Sequence, residues 1–479
     1  MENDDAPVRA PRHPLAPDWL LTPDDANALV DGVWSGGTVR DDEGALTVAG
    51  IAASDLAERF GTPLYVLDED DARRRAAAMR DAFARELARI GTGVTVYYAG
   101  KAFLSTEVAR WMRDEGLSID LSSGGELAVA LAAGVDPART GLHGNNKSLA
   151  EIERAVEVGV GTIVLDSPIE IERVAAAAER LGRVQAVRLR VNSGVHAHTH
   201  EFLATAHEDQ KFGLALADCP DAVAHIRSHA SLRFLGLHCH IGSQIFGSAG
   251  FAESASRLLD VHAALLADGD VPELNLGGGF GIAYTSVDDP TPIDEIAAAI
   301  ADAVSEQCAR RGIPVPHIAI EPGRSLIGPS GLTLYEVGTI KDVVVGGAGA
   351  TAVRRYVSVD GGMSDNARPA LYGADYTARI ANRSSDAEPA LVRVAGKHCE
   401  SGDIVVHDDF LPADVQPGDL LAVAATGAYC WSLSSNYNYL GRPPVVAVRD
   451  GVARVIVRGE TEEDLLRRDA GIERKAILR

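Results

Sequence analysis

Val94-Thr95-Val96-Tyr97-Tyr98-Ala99-Gly100-Lys101 is the stretch on which the fold reading turns. Five β-formers run into two small residues, and the first charge after them is a single lysine. β-Branched and aromatic side chains suit a pleated, buried surface. A strand that is apolar on both faces belongs to a parallel sheet covered on both sides. Lys101 is therefore expected at the C-terminal end of a buried parallel strand. An amine there can simply snorkel into water, or it can serve as a nucleophile toward carbonyls.

Working outward, the same texture repeats. Strands are expected at 94–99, 117–122, 140–144, 161–166, 185–192, 233–239, 273–277 and 317–321. Helical patterns lie between most of them, at 105–115, 125–133, 148–158, 168–181, 251–266 and 292–311. Eight strands alternating with helices predict an α/β fold, a (β/α)8 TIM-like barrel, with an open doubly wound sheet as the alternative. Residues 192–212, with His196, His198, His200 and His207, read as a long polar loop. Beyond Gly331 short strands separated by turn residues predict a second, mostly antiparallel β domain, a sandwich or barrel. The expected organisation is a loose tail over 1–20 and a lead-in over 21–68 that contributes a strand near residue 45 to the β domain. The barrel follows over 69–330 and the β domain over 331–479.

Composition narrows the function classes. Lys and Arg number 45 against 68 Asp and Glu, a net charge of −23 with no basic stripe, which argues against nucleic acid or an anionic membrane surface as partner. The five cysteines are scattered and include no C-x-x-C pair, so neither a disulfide framework nor a structural zinc site is expected. The acidic Met1-Glu2-Asn3-Asp4-Asp5 start is unlike a secretory signal, and no apolar run reaches membrane length. A cytoplasmic enzyme is the expectation.

The polar residues collect where barrel strands end, the edge at which barrel active sites are built. The first strand ends at Lys101, the sixth in His238-Cys239-His240-Ile241-Gly242-Ser243, the seventh in Gly277-Gly278-Gly279 and the eighth in Glu321-Pro322-Gly323-Arg324. Loops after strands seven and eight commonly hold phosphate. Glycines let backbone N–H groups approach its oxygens, and an arginine adds a charged fork. Joined to Lys101, these point to a cofactor that is both a carbonyl compound and a phosphate ester, pyridoxal 5'-phosphate. Glu321 suits the pyridine nitrogen, and His240 the ring face. No metal is expected, because His238 and His240 lack an evident third ligand in the sequence.

With these residues in hand, the chain resembles the alanine racemase-like class of pyridoxal-phosphate enzymes and, within it, the diaminopimelate decarboxylases. The resemblance spans residues 45–460. Its motifs are Tyr98-Ala-Gly-Lys101, His240-Ile-Gly-Ser243, Gly277-Gly-Gly279, Glu321-Pro-Gly-Arg324, Ser364-Asp-Asn-Ala-Arg368-Pro-Ala-Leu-Tyr372, Cys399-Glu400-Ser-Gly-Asp403 and Gly427-Ala-Tyr429. It implies that Lys101 is the covalent anchor of the cofactor and that His240 stacks on the ring. Ser243, Gly277, Gly278, Gly279, Gly323 and Arg324 are implied around the phosphate, and Glu321 at the ring nitrogen. Arg324, Arg368 and Tyr372 are implied at the far carboxylate of the substrate, Glu400 at its far amino group, Tyr429 against cofactor and substrate, and Cys399 as proton donor. The Cys399-Glu400 segment is implied to reach the partner subunit's site, making an obligate homodimer with shared active sites. Cys430-Trp431, after Tyr429, departs from the family pattern.

The implied reaction is decarboxylation of meso-diaminopimelate to L-lysine, the last step of lysine biosynthesis. The rivals are a decarboxylase of ornithine, arginine or carboxynorspermidine, a racemase, and a non-catalytic pyridoxal-phosphate-binding barrel. A distal amine without a carboxylate would leave Arg368 without a purpose.

Overall fold

The structure, a computed structural model, describes residues 13–195, 211–347 and 350–472. The histidines at 196, 198, 200 and 207 lie outside these residues. Two compact units are present. One is built from Ala72–Ile282 and Asp289–Gly328, and the other from the described parts of Met1–Asp71, Ala283–Asp288 and Pro329–Arg479.

The first unit is a closed barrel. Its strands are β1 Val94–Ala99, β2 Ser118–Leu121, β3 Thr140–Leu142, β4 Thr162–Leu165, β5 Gln185–Asn192, β6 Leu232–His238, β7 Glu273–Asn275 and β8 His317–Ile320. Each pairs in parallel with the next, from Tyr97↔Ser118 onward. β8 closes the ring on β1 through Ile318↔Val94. The closure disposes of the open-sheet alternative. A two-residue strand, Leu214–Ala215, adds to β5 outside the ring.

Local sequence explains why the helices start promptly after the strands. Ser105, Ser123 and Ser148 each accept an N–H from the first turn of the following helix, and Glu151 completes a capping box with Ser148. Side chains alternate in direction along a strand, and buried apolar residues such as Val96, Ile119, Leu142, Leu189, Leu237 and Leu274 alternate with the polar ones that meet across the ring. Among the polar groups that meet across the ring, the buried Arg188 stacks on Tyr97, donates to its hydroxyl at 3.1 Å, and donates from Nε to Glu273 Oε2 at 3.0 Å.

The second unit centres on a mixed sheet. Its strands run in the order Ile404–Pro412, Pro389–Ala395, Ala350–Val359, Gly331–Gly347, Leu64–Asp68, Val445–Arg449 and Val452–Val457. Leu420–Val423 pairs with Gly331–Gly347 and with Ala378–Ile380. Most pairs are antiparallel. The exceptions are Ala350–Val359 with Pro389–Ala395 and Leu64–Asp68 with Val445–Arg449.

The lead-in belongs to this second unit. The strand near residue 45 forms its own three-stranded sheet, Thr38–Arg40, Leu46–Val48 and Ile51–Ala52. The segment that enters the large sheet is Leu64–Asp68, all five residues buried. Both still share one core, in which Leu46, Val48 and Leu56 pack with Leu64, Val66, Leu334 and Val446. Nor are residues 15–20 loose, because Leu15, Ala16, Trp19 and Leu20 pack on Leu391 and Phe410. The apolar residues of that Pro-rich stretch gain more by burial than the chain loses by ordering. Among the described residues no helix is long and apolar enough to cross a membrane.

Candidate active site

Each barrel-unit residue singled out in the sequence lies at or just past a strand's C-terminal end. β1 hands over to a short 3-10 turn, Gly100–Ala102, that carries Lys101. The N–H of Ala99 donates to the carbonyl of Pro322 at 3.0 Å, tying this end of β1 to the end of β8. A Cβ on Gly323 would stand 3.0 Å from the Cβ of Ala99, so glycine permits the close approach. A cavity of about 510 Å³ opens here, lined by Lys101, Asp120, His143, Arg190, His240 and Glu321 among others.

Glu321 is the organising carboxylate. It is buried and accepts from Asn275 Nδ2 at 2.6 Å, while His238 Nε2 and His143 Nε2 stand 3.0 and 3.3 Å away. Burial opposes its charge, but the two imidazoles and their hydrogen bonds overcome it, and Glu321 is held well below the usual carboxylate range. Burial drives His238 down to about 4, so it is neutral near pH 7 and donates as a neutral ring. Asp120, 3.0 Å from His143 Nε2, is pushed well above the carboxylate range, first by burial and then by the charge of Glu321. Sequence reading did not anticipate that His143, His238 and Asn275 serve Glu321. They come from β3, β6 and β7, and only ring closure brings these three strands to β8.

His240 is half-buried, its Nδ1 accepts the Gly278 N–H at 3.2 Å, and burial followed by the charge of Lys101 lowers it to about 3. The loops after β6 and β7 zip together. Ile245 N–H donates to Gly279 O at 2.9 Å, and Gly281 N–H returns to Ile245 O at 3.0 Å. That sets Ser243 near the glycine run, where it accepts from Arg324 Nη2 at 2.8 Å. Gly278 has no room for a side chain, because its Cβ would stand 2.1 Å from Glu321 O. A primary amine, a stackable ring and a buried carboxylate around one cavity, with a glycine run hydrogen-bonded to that ring, fit a pyridine ring that carries an aldehyde and a phosphate.

The remaining singled-out residues sit in the other unit. Arg368 opens the short helix Arg368–Tyr372 and is buried, while Tyr372 is exposed. The Arg368 guanidinium lies 4.7 Å from the Tyr284 ring centroid and 5.5 Å from that of Tyr376. Among the described residues it makes no ion pair, and its charged form is strongly retained against burial by Tyr376 and Tyr284. Cys430, the departure from the family pattern, lies behind this group, its sulfur 3.5 Å from the Tyr376 hydroxyl. Cys399 and Glu400 are exposed on a turn. Asp403 fixes that turn by accepting His398 Nδ1 at 2.9 Å, His398 N–H at 2.7 Å and Met363 N–H at 2.6 Å. The Gly402 N–H and Ser401 hydroxyl hold Glu400 below its ordinary pKa. Tyr429 is half-buried with φ 64°, a left-handed conformation unusual for a residue of its size.

A family model described as "Pyridoxal-dependent decarboxylase, pyridoxal binding domain" matches residues 69–328. The chain belongs to this pyridoxal-phosphate-dependent class. A protein of Mycobacterium leprae named diaminopimelate decarboxylase is 54% identical over 95% of this chain and 96% of its own length. One of Bacillus subtilis with the same name is 44% identical over 90% and 97%. The crystal structure of diaminopimelate decarboxylase from M. jannaschii in co-complex with L-lysine has a TM-score of 0.84 at 31% identity, over 93% of this chain and 99% of that one. Within the class, the family is that of the diaminopimelate decarboxylases.

Proposed function

We propose that the protein decarboxylates meso-2,6-diaminopimelate to L-lysine and CO2. The observation that carries this reading is the buried Arg368, a fork of donors held between two tyrosine rings with no carboxylate of its own. A planar guanidinium of this kind is matched by a ligand carboxylate. Diaminopimelate has a spare one at its non-reacting end, and simple diamine precursors have none.

Bound pyridoxal phosphate would supply the sink for the electron pair left as CO2 departs. The residues would divide the remaining work. Lys101 anchors the cofactor by its amine. Glu321, kept anionic by Asn275 and the two histidines, holds a proton on the ring nitrogen. Ser243, Gly277, Gly278, Gly279, Gly323 and Arg324 surround the phosphate, and the neutral ring of His240 packs on the pyridine face. Arg324, Arg368 and Tyr372 take the distal carboxylate, Glu400 takes the distal ammonium, and Tyr429 touches both cofactor and substrate. Cys399 delivers a proton to the carbon that lost CO2.

The exposure of Cys399 and Glu400 favours their acting in the site of a second copy, so the reading includes a homodimer. Leu371, Tyr372, Tyr437 and Tyr439 are exposed in the same unit, and the Cys399 N–H is bound by Asn438 at 2.9 Å. Large exposed side chains of this kind mark interaction surfaces. A cytoplasmic location accords with an enzyme whose cysteines are all free among the described residues.

The test is CO2 release from meso-diaminopimelate, lysine, ornithine and arginine, by the wild type and by Lys101→Ala. Diaminopimelate should be strongly preferred, and Lys101→Ala should lack both the visible cofactor band and turnover. Faster release from ornithine or arginine would overturn the substrate.

A further inference from the structure

Two outer helices of the barrel unit, Pro168–Arg180 and Cys219–Ser228, carry a second group of ligand-type side chains. Glu172 belongs to the first. His225 lies in the last turn of the second, and His229 is its C-terminal cap. Side chains four apart on a helix share a face, and these two imidazole centroids are 5.2 Å apart. Glu172 Oε1 stands 2.7 Å from His225 Nε2 and 3.8 Å from His229 Nε2. One ligand atom from each of the three residues falls within 4.8 Å of the others. A tetrahedral ion with bonds of about 2.0–2.2 Å keeps its ligand atoms about 3.3–3.6 Å apart, so small side-chain rotations close the trio on one ion.

A carboxylate beside a single surface histidine is an ordinary pair and calls for nothing more. His229 is the member that such a pair does not explain. Its Nε2 is enclosed and makes no hydrogen bond among the described residues, although a carboxylate oxygen faces it. An enclosed ring nitrogen left unpaired is unfavourable, and a shared ion satisfies all three groups at once. We infer that Glu172, His225 and His229 bind one divalent transition ion of the Zn2+ type and so join the two helices. Two imidazoles and one carboxylate favour such ions over Mg2+ or Ca2+. None of the three lines the cavity that holds Lys101, so the ion is structural and stands apart from decarboxylation.

The experiment uses tag-free, cofactor-loaded enzyme stripped of metal by chelator and titrated calorimetrically with Zn2+. The wild type should take up one equivalent that the His225→Ala/His229→Ala double variant does not. Glu172→Gln should weaken that binding by about tenfold or more, since even partners outside the ligand set matter on that scale. Zn2+ should raise the melting temperature of the wild type and leave that of the double variant unchanged. All three residues are partly or fully exposed, so the variants should fold, and an unchanged kcat of the metal-free variants verifies it. Retention of the same equivalent at the same affinity by the double variant would overturn the assignment. So would the absence of any Zn2+ uptake by the wild type at micromolar concentration.

Discussion

Arg368 is 6% exposed and has tyrosine rings for neighbours instead of carboxylates. A charge enclosed in this way is stable in the free protein only while its surroundings spread it and accept its hydrogen bonds, as the Tyr376 hydroxyl does from Arg368 Nη1 at 2.5 Å, and it gains most from an anion brought by a ligand. Removing one member of such a pair typically costs about 2–5 kcal/mol, chiefly by stranding the other. Arg368→Ala should therefore lower kcat/KM for meso-diaminopimelate by about 30-fold or more. It should do much less harm to the slow reaction with lysine, which has no second carboxylate to lose. Equal losses on both substrates, with cofactor content checked by absorbance, would show that Arg368 only supports the fold. At this scale the motifs revealed which residues to look at but not what holds them. Glu321 was legible as a carboxylate at the end of the eighth strand. That Asn275, His143 and His238 hold it was not, because spacing along the chain says nothing about which strand ends converge.

Among the elements, the β7 glycine run and one outer helix lend themselves to measurement. The Cβ of Gly278→Ala would meet the backbone oxygen of Glu321 at 2.1 Å. Backbone cannot swing aside as a side chain can, so the β7 and β8 ends must separate and carry Glu321 with them. The variant should lose cofactor affinity and melt at lower temperature, whereas Gly247→Ala, whose Cβ meets nothing within 4 Å, should do neither.

Helix Ala249–Leu265 buries His262, whose Nδ1 has no hydrogen-bond partner among the described residues, and burial pushes its pKa down to about 4. The unfolded imidazole takes its proton near 6.5. Between those two values the unfolded chain holds a proton that the folded chain refuses, so stability is full above about pH 6.5 and is lost as pH falls toward about 4. A shift of that size corresponds to on the order of 3 kcal/mol. His262→Leu should therefore flatten part of the fall in melting temperature between pH 7 and pH 4.5. An unchanged slope would show that His262 is not among the groups responsible.

The eight barrel strands could be read from their apolar runs because both faces are covered. The β unit was harder to read. Ala378–Ile380 is only three residues long, and Ala283–Asp288, which belongs to that unit, lies inside the barrel's stretch of sequence. Local pattern marks a strand but not the sheet it joins: Leu64–Asp68 enters the large sheet, whereas the segment near residue 45 forms a small sheet of its own in the same unit.

For the whole molecule, the shared-site reading makes a quantitative statement. If Cys399 and Glu400 complete the site of a second copy, mixing inactive Lys101→Ala with inactive Cys399→Ala should restore activity. Each mixed dimer then has one site with both groups intact. With free exchange, about half the dimers are mixed, so about a quarter of wild-type activity is the ceiling, as two-fold symmetry requires. No recovery, with exchange demonstrated by a tagged partner, would mean that each site is built from one chain.

The position of Leu64–Asp68 in the middle of its sheet bears on the order in which the protein is made. Its neighbours are Gly331–Gly347 and Val445–Arg449. The pairing Val445↔Tyr65 joins residues that leave the ribosome about 20–80 s apart at about 5–20 residues per second. The barrel's own strands are complete long before then, since β8 ends at Ile320. The barrel can therefore close while an apolar strand upstream of it waits with unpaired N–H and C=O groups. A nascent chain stalled or cut short of residue 445 would present Leu64–Asp68 as an open sheet edge. Unpaired apolar edges are templates for aggregation, and such products should depend on holdase chaperones far more than the full-length chain does.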